Sequence, residues 1–180
     1  MPRHQRHRGH DLLIEKKGKL EGLKLTYVGD GNNMVHSLAF GAAKLGVNFV
    51  CACPKGYEPD ADAIGLARED AAKTGATIEI VNDPIEGVTG ADAVYTDVWA
   101  SMGQEEEHAK RMKDFAGFQV DMELFSKAKG DAIFMHCLPA HHGEEVSLEV
   151  CEHERSVIFD EAENRLHAQK AIMVTLMGNG

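Results

Sequence analysis

Short apolar runs alternate with stretches of helical periodicity from residue 20 onward, and this alternation constrains the fold more than any other feature of the chain. The apolar runs with strand character lie at residues 23–28, 47–53, 77–81, 91–96 and 131–136. Such alternation is typical of βαβ units, in which helices connect parallel strands. The sequence therefore predicts a single α/β domain with three layers, a parallel sheet flanked by helices.

The intervening segments predict helices at residues 34–45, 60–74, 84–89, 104–115, 122–129 and 163–177, and residues 156–159 are expected to form a sixth strand. Residues 1–10 are polar and basic, without apolar periodicity. They predict a disordered or poorly packed extension over residues 1–11, followed by the folded domain over residues 12–180. The overall arrangement is Rossmann-like.

Composition narrows the functional class. The chain has 180 residues with 29 acidic and 19 basic side chains, and this net charge of −10 argues against a nucleic-acid surface. No apolar run is long enough to cross a membrane. The four cysteines lack a secretory or zinc-binding spacing, so we expect reduced thiols in a cytoplasmic protein; they are Cys51, Cys53, Cys137 and Cys151.

Polar residues follow four of the apolar runs, at residues 28–33, 96–103, 134–139 and 159–165. The carboxyl ends of parallel strands meet at one edge of a sheet, where open α/β folds bind their ligands. The most informative of these segments is His136-Cys137-Leu138-Pro139, because it places a thiol at that edge. We therefore expect a small-molecule site there.

Together these four segments resemble the ornithine-binding half of the aspartate/ornithine carbamoyltransferase family, over about residues 12–176. The motifs Ser101-Met102-Gly103 and His136-Cys137-Leu138-Pro139 carry the resemblance most specifically. The resemblance implies transfer of a carbamoyl group from carbamoyl phosphate to the side-chain amine of L-ornithine, giving L-citrulline and phosphate, as in arginine biosynthesis or the urea cycle. No His-Pro dipeptide of the family's carbamoyl-phosphate half occurs here. We therefore expect no turnover by this chain alone.

The resemblance also implies roles for individual residues. Asn33 would hold the α-carboxylate of ornithine, with Asn32 alongside. Asp97 would bind ornithine and help to prepare its amine for attack. The Ser101 hydroxyl and the Met102 backbone amide would contact ornithine as their loop closes. By residue type alone, each Asn could equally be a helix N-cap without a ligand.

Cys137 is the candidate for the chemical step. An amine with a pKa of about 10.4 is almost wholly protonated at neutral pH, although only the neutral amine can attack. A thiol or thiolate beside Asp97 can accept a hydrogen bond from the amine and orient its lone pair, which is positioning and general-base catalysis rather than covalent catalysis. The resemblance adds Leu138, through its carbonyl, and Arg165 as contacts for carbamoyl phosphate together with Cys137. The alternative is an inert buried cysteine.

Other functions remain open on the sequence alone. A noncatalytic module that binds ornithine or another amino acid, or an interaction module, would retain the same pocket. A dinucleotide-dependent oxidoreductase would bind its cofactor at residues 29–33, but these lack the G-x-G-x-x-G spacing. The sequence indicates no cofactor, and the pair His141-His142 predicts a solvated loop and no metal site.

Two kinds of protein partner are expected. The family is trimeric, so the resemblance implies a homo-oligomer or a complementing carbamoyl-phosphate domain. The last predicted helix carries an apolar stripe that would need a covering surface; it comprises Ala168, Ile172, Val174 and Leu176.

Overall fold

Five parallel strands form one sheet in the order β3-β2-β1-β4-β5, in a computed structural model that describes residues 8–100 and 107–177. The strands are β1 (Lys24–Val28), β2 (Asn48–Ala52), β3 (Ile78–Val81), β4 (Ala93–Thr96) and β5 (Ile133–His136). The strand order reverses direction at β1, which pairs with β2 on one side and with β4 on the other. A crevice opens at such a switch point, at the carboxyl ends of the strands.

Helices cover both faces of the sheet. They are α1 (Arg8–Lys17), α2 (Asn33–Leu45), α3 (Ala61–Thr74), α4 (Pro84–Val88), α5 (His108–Asp114), α6 (Met122–Phe125), α7 (Leu148–Cys151) and α8 (Ile158–Met177). One buried apolar cluster joins the sheet to α1, α2 and α3, and a second joins it to α4, α5, α6 and α7. These two cores confirm the predicted three-layer α/β fold. No helix in the described ranges has the length and apolar character needed to span a bilayer.

The predicted sixth strand is wrong. Ser156 makes a single parallel bridge to Phe134, and α8 already begins at Ile158. The apolar residues of this segment diverge instead of forming a strand: Val157 is buried in the first core, Ile158 in the second, and Phe159 is exposed. The final helix is therefore longer at its start than the predicted 163–177, and it carries Glu161 into the protein interior.

Helix α1 begins inside the stretch that was expected to be poorly packed. Its first residue is Arg8, and Leu12 and Leu13 are fully buried in the first core. A run of only three apolar residues, 12–14, carries this signal in the sequence, which is too short to establish a period. Packing against α8, and not intrinsic periodicity, holds this helix.

Gly31 allows two loops to approach closely beside the crevice. Its backbone N–H donates to the Tyr57 carbonyl at 2.8 Å, and a Cβ at this position would lie 2.5 Å from the same oxygen. We expect Gly31→Ala to lower the free energy of unfolding by about 3 kcal/mol, because the clash is with backbone. Urea denaturation measures this change.

Gly65→Ala is the matched control, since a Cβ there meets no atom within 4 Å. Gly65 lies inside α3, so the control should stabilise the protein by about 0.5–1 kcal/mol. Equal effects of the two substitutions would contradict the proposed close approach.

Candidate active site at the carboxyl edge of the sheet

A crevice of about 210 Å³ lies at the carboxyl ends of β4 and β5, between the start of α2 and the first turns of α8. It contains most of the site residues that the sequence predicted. The lining residues are Asn33, Met34, Leu38, Tyr95, Asp97, Cys137, Leu138, Glu161, Ala162 and Arg165.

The two asparagines after β1 have different roles. Asn32 is the N-cap of α2, and its side-chain oxygen accepts a hydrogen bond from the Met34 N–H at 2.8 Å. Asn33 is the first residue of the helix, is exposed, and lines the crevice. The amino terminus of this 13-residue helix carries partial positive charge, which favours an anionic group of a ligand beside Asn33.

Asp97 and Cys137 lie side by side because of the strand register. Thr96 of β4 pairs with His136 of β5, so the residue that follows each of them emerges at the same level of the sheet. The Cys137 thiol donates a hydrogen bond to Asp97 Oδ1 across 3.1 Å. The same oxygen accepts from the Val98 N–H at 2.8 Å, which fixes the orientation of the carboxylate.

The Cys137 thiol is held in its protonated form. Burial raises its pKa, and the neighbouring Asp97 carboxylate raises it further through its charge and its hydrogen bond. The sequence allowed either a thiol or a thiolate at Cys137, and the structure favours the thiol. A thiol that donates its proton to Asp97 still has sulfur lone pairs with which to accept a hydrogen bond from an amine.

Sequence reasoning gave no role to Tyr95 and Glu161, yet both line this crevice. The Tyr95 hydroxyl donates to Glu161 Oε1 at 2.7 Å, and Glu161 is buried. Burial raises the pKa of the Glu161 carboxyl, with Tyr95 acting in the opposite direction. The only sequence signal was that Glu161 lies in the polar run after residue 159, where Asp160 and Glu163 are equally acidic.

The turn after β5 places Leu138 in the lining of the crevice. Leu138 has a φ of 55°, a left-handed conformation that is unfavourable for a residue with a Cβ. Two contacts hold it: its N–H donates to Nδ1 of the buried His136 at 2.9 Å, and His136 Nε2 lies 3.2 Å from the buried Glu145. Such strained backbone is found mainly where surrounding structure enforces it, often at functional sites.

The structure describes only some of the remaining predicted residues. Arg165 lines the crevice but lies well inside α8 rather than in the first turn of a helix, and its side chain is exposed. Ser101 and Met102 lie outside the described residues. The apolar stripe on α8 is confirmed in part, since Val174 and Leu176 are 70% and 75% exposed.

The loop after β1 does not resemble a dinucleotide site. In such sites, glycine allows the backbone to approach a pyrophosphate. Here Gly31 allows the close approach of the segment at residues 57–59, so that protein backbone fills this space. This packing argues against the oxidoreductase alternative.

The charges in the crevice suit one chemical class of ligand. The lining combines the carboxyl groups of Asp97 and Glu161 with Arg165 and the amino terminus of α2, which attract negative charge. A small molecule that carries both an amine and a carboxylate matches this combination.

Comparison with known proteins finds one matching family and similar solved structures. Residues 21–176 match the model of the family described as aspartate/ornithine carbamoyltransferase, Asp/Orn binding domain. Ornithine carbamoyltransferases of Thermococcus kodakarensis and Symbiobacterium thermophilum are 56% and 59% identical over 169 residues each, which is 94% and 93% of this chain and 54% of each relative. The structure of ornithine carbamoyltransferase from Pyrococcus furiosus superposes with a TM-score of 0.93 at 51% identity, covering 97% of this chain and 56% of that one. The chain thus spans about half the length of the curated relatives it matches.

Proposed function

Since the chain belongs to the aspartate/ornithine carbamoyltransferase family, we propose that it provides the ornithine-binding side of an enzyme that carbamoylates L-ornithine. The observation that carries this proposal is the hydrogen-bonded pair of Cys137 and Asp97 in a crevice that also contains the amino terminus of α2. The products would be L-citrulline and phosphate, as in arginine biosynthesis.

Ornithine binds with its α-carboxylate at the α2 terminus beside Asn33 and with its side-chain amine toward Asp97 and Cys137. Asp97 attracts the ammonium form through its charge. Cys137 accepts a hydrogen bond from the amine and, with Asp97, aligns the lone pair of the neutral form. Ser101 and Met102 complete the ornithine site in this proposal.

In the transfer step, the amine nitrogen forms a bond to the carbonyl carbon of carbamoyl phosphate, and the bond from that carbon to the phosphate oxygen breaks. Phosphate leaves with the bonding electrons, and its oxygen takes up the proton that the nitrogen loses. Arg165 stabilises the negative charge that develops on the carbonyl oxygen, and the Leu138 carbonyl accepts from the carbamoyl NH₂. Three residues of this chain, Cys137, Leu138 and Arg165, then contact carbamoyl phosphate.

Most contacts to carbamoyl phosphate would come from a partner. We propose that the chain from α1 onward forms the ornithine-binding domain, and that it works with a carbamoyl-phosphate domain in a homo-oligomer such as the family trimer. The coverage of about half of each relative supports this division. The four free cysteines support a cytoplasmic setting.

A second candidate function is noncatalytic binding of ornithine or a related amino acid. The same coverage favours it, because a chain that matches half of an enzyme can retain one substrate site without the other. Carbamoyl phosphate separates the two candidates: tighter ornithine binding in its presence favours the transferase, and unchanged binding favours the module.

Isothermal titration of L-ornithine into the full chain tests the proposed site. We expect saturable binding that Asp97→Asn weakens by about tenfold or more, because the charge-assisted hydrogen bond to the amine is lost. The control is Asp62→Asn, which removes an exposed carboxylate from the first turn of α3. Equal affinities for the Asp97 and Asp62 variants would contradict the proposal.

A further inference from the structure

Ionisable side chains that the carbamoyl-transfer site does not use converge after β5. His141, Glu144 and Glu145 each offer one potential ligand atom, and these atoms lie within 4.8 Å of one another. One imidazole and two carboxylates therefore meet in this loop. His108, at the start of α5, borders the cluster on one side, since its Nε2 lies 3.1 Å from both carboxylate oxygens of Glu144.

Glu145 is fully buried, but only one of its carboxylate oxygens is satisfied. Oε1 accepts from the His141 backbone N–H at 2.6 Å and from His136 at 3.2 Å. Oε2 is buried and has no hydrogen-bond partner among the described residues. It lies 4.0 Å from Nδ1 of His141 and so is directed into the cluster. A buried carboxylate oxygen without a partner is unfavourable, and a bound cation would satisfy it.

The neighbouring His136 does not neutralise the Glu145 carboxylate. The Leu138 N–H donates to its Nδ1, so this nitrogen carries no proton, and the ring proton is on Nε2, which donates to Glu145. His136 is then a neutral imidazole that satisfies one oxygen and orients the carboxylate. Hydrogen bonds of this kind, behind the ligating atoms, are typical of metal sites.

We propose that His141, Glu144 and Glu145 bind a divalent transition-metal ion of the zinc class, with water as the fourth ligand. Bonds of about 2.0–2.2 Å in tetrahedral geometry place ligand atoms about 3.4 Å apart. The separation of 4.0 Å between His141 Nδ1 and Glu145 Oε2 therefore closes with a small movement of the His141 ring, which is half exposed. Imidazole nitrogen beside carboxylate oxygen selects zinc, cobalt or nickel over magnesium and calcium, which prefer oxygen ligands throughout.

The sequence predicted no metal site here because the interpretation rested only on the adjacent pair His141-His142. The carboxylates of Glu144 and Glu145 follow three and four residues later, and the loop folds back so that Glu145 reaches the His141 backbone.

Titration of the full chain with Zn²⁺ alone, followed by calorimetry and by thermal unfolding, tests the proposal. We expect one site whose affinity falls at least about tenfold in His141→Ala and in Glu144→Gln. Both residues lie at the surface or partly exposed, so these variants should fold even if a Glu145 variant does not. Saturating Zn²⁺ should raise the melting temperature by about 5–10 °C, and Mg²⁺ should not.

Two controls exclude other metal-binding groups. His142→Ala removes the exposed neighbour of His141, and His167→Ala removes a histidine that lies 3.5 Å from Glu163 on the exposed face of α8. Both should retain wild-type affinity. The Co²⁺ complex should lack a thiolate-to-metal charge-transfer band, since Cys137 is not a ligand.

Either of two results would overturn the proposal. One is equal loss of affinity in His142→Ala and His141→Ala, which would indicate nonspecific binding to surface histidines. The other is binding that persists in His141→Ala and disappears in Cys137→Ser, which would place the ion at the thiol.

Discussion

Arg111→Met is expected to lower the free energy of unfolding by about 3 kcal/mol. The Arg111 side chain is only 9% exposed and donates to Asp30 Oδ2 at 2.8 Å and to the Trp99 carbonyl at 2.6 Å. Its guanidinium also lies over the Tyr57 ring, 5.2 Å from the centroid. Methionine fills similar volume but leaves Asp30 and a buried carbonyl without their donor. The loss of stability therefore comes from the uncompensated charge of Asp30 and not from lost packing.

Urea denaturation measures this change, and Lys73→Met provides the control. Lys73 is 72% exposed and pairs with Asp70 at 2.7 Å, so its removal should cost less than about 1 kcal/mol. The double variant Asp30→Asn with Arg111→Met should recover part of the loss, because the buried charge is then absent. A loss for Arg111→Met no larger than that for Lys73→Met would contradict this account.

The second prediction concerns the reactivity of Cys137. Asp97→Asn should accelerate its alkylation by iodoacetamide at pH 8 by about tenfold or more. The Asp97 carboxylate opposes formation of the thiolate, so its removal lowers the pKa of the Cys137 thiol toward the ordinary value. As long as the pKa of the thiol is above the working pH, each unit by which this pKa falls increases the thiolate fraction about tenfold. The thiolate is the reactive form.

Mass spectrometry of the peptide that contains Cys137 measures this rate separately from the other three cysteines, of which all are buried. Burial remains in the variant, so the thiol should stay less reactive than an exposed one. Asp62→Asn should leave the rate unchanged. An unchanged or slower rate for Asp97→Asn would show that Asp97 does not control the protonation of the thiol.

The sequence predicted the sheet and the crevice because both depend on local patterns. The alternation of strand and helix periods identified all five strands of the sheet to within a few residues, and polar residues at their carboxyl ends marked the crevice. The position of Cys137 beside Asp97 follows from the same logic, since both residues directly follow paired strands. The resemblance to the carbamoyltransferases added roles that no local pattern could assign.

What the sequence did not reveal depends on contacts between distant segments. Arg111 looks like an ordinary surface residue of a charged helix, yet it is buried because Asp30, 81 residues away in the chain, pairs with it. Glu161 joins the crevice because α8 begins earlier than its apolar pattern indicated, and Tyr95, 66 residues away, bonds to it. Helix α1 is likewise fixed by tertiary packing of Leu12 and Leu13.

The central claim is that ornithine lies in this crevice with a defined orientation, and a crystal structure of the chain at saturating L-ornithine tests it most directly. The account predicts the α-carboxylate at the amino terminus of α2 beside Asn33. It places the side-chain amine within hydrogen-bond distance, about 3–3.5 Å, of the Asp97 carboxylate and the Cys137 sulfur. Ornithine bound in the reverse orientation, or ordered elsewhere while the crevice contains only solvent, would contradict the claim.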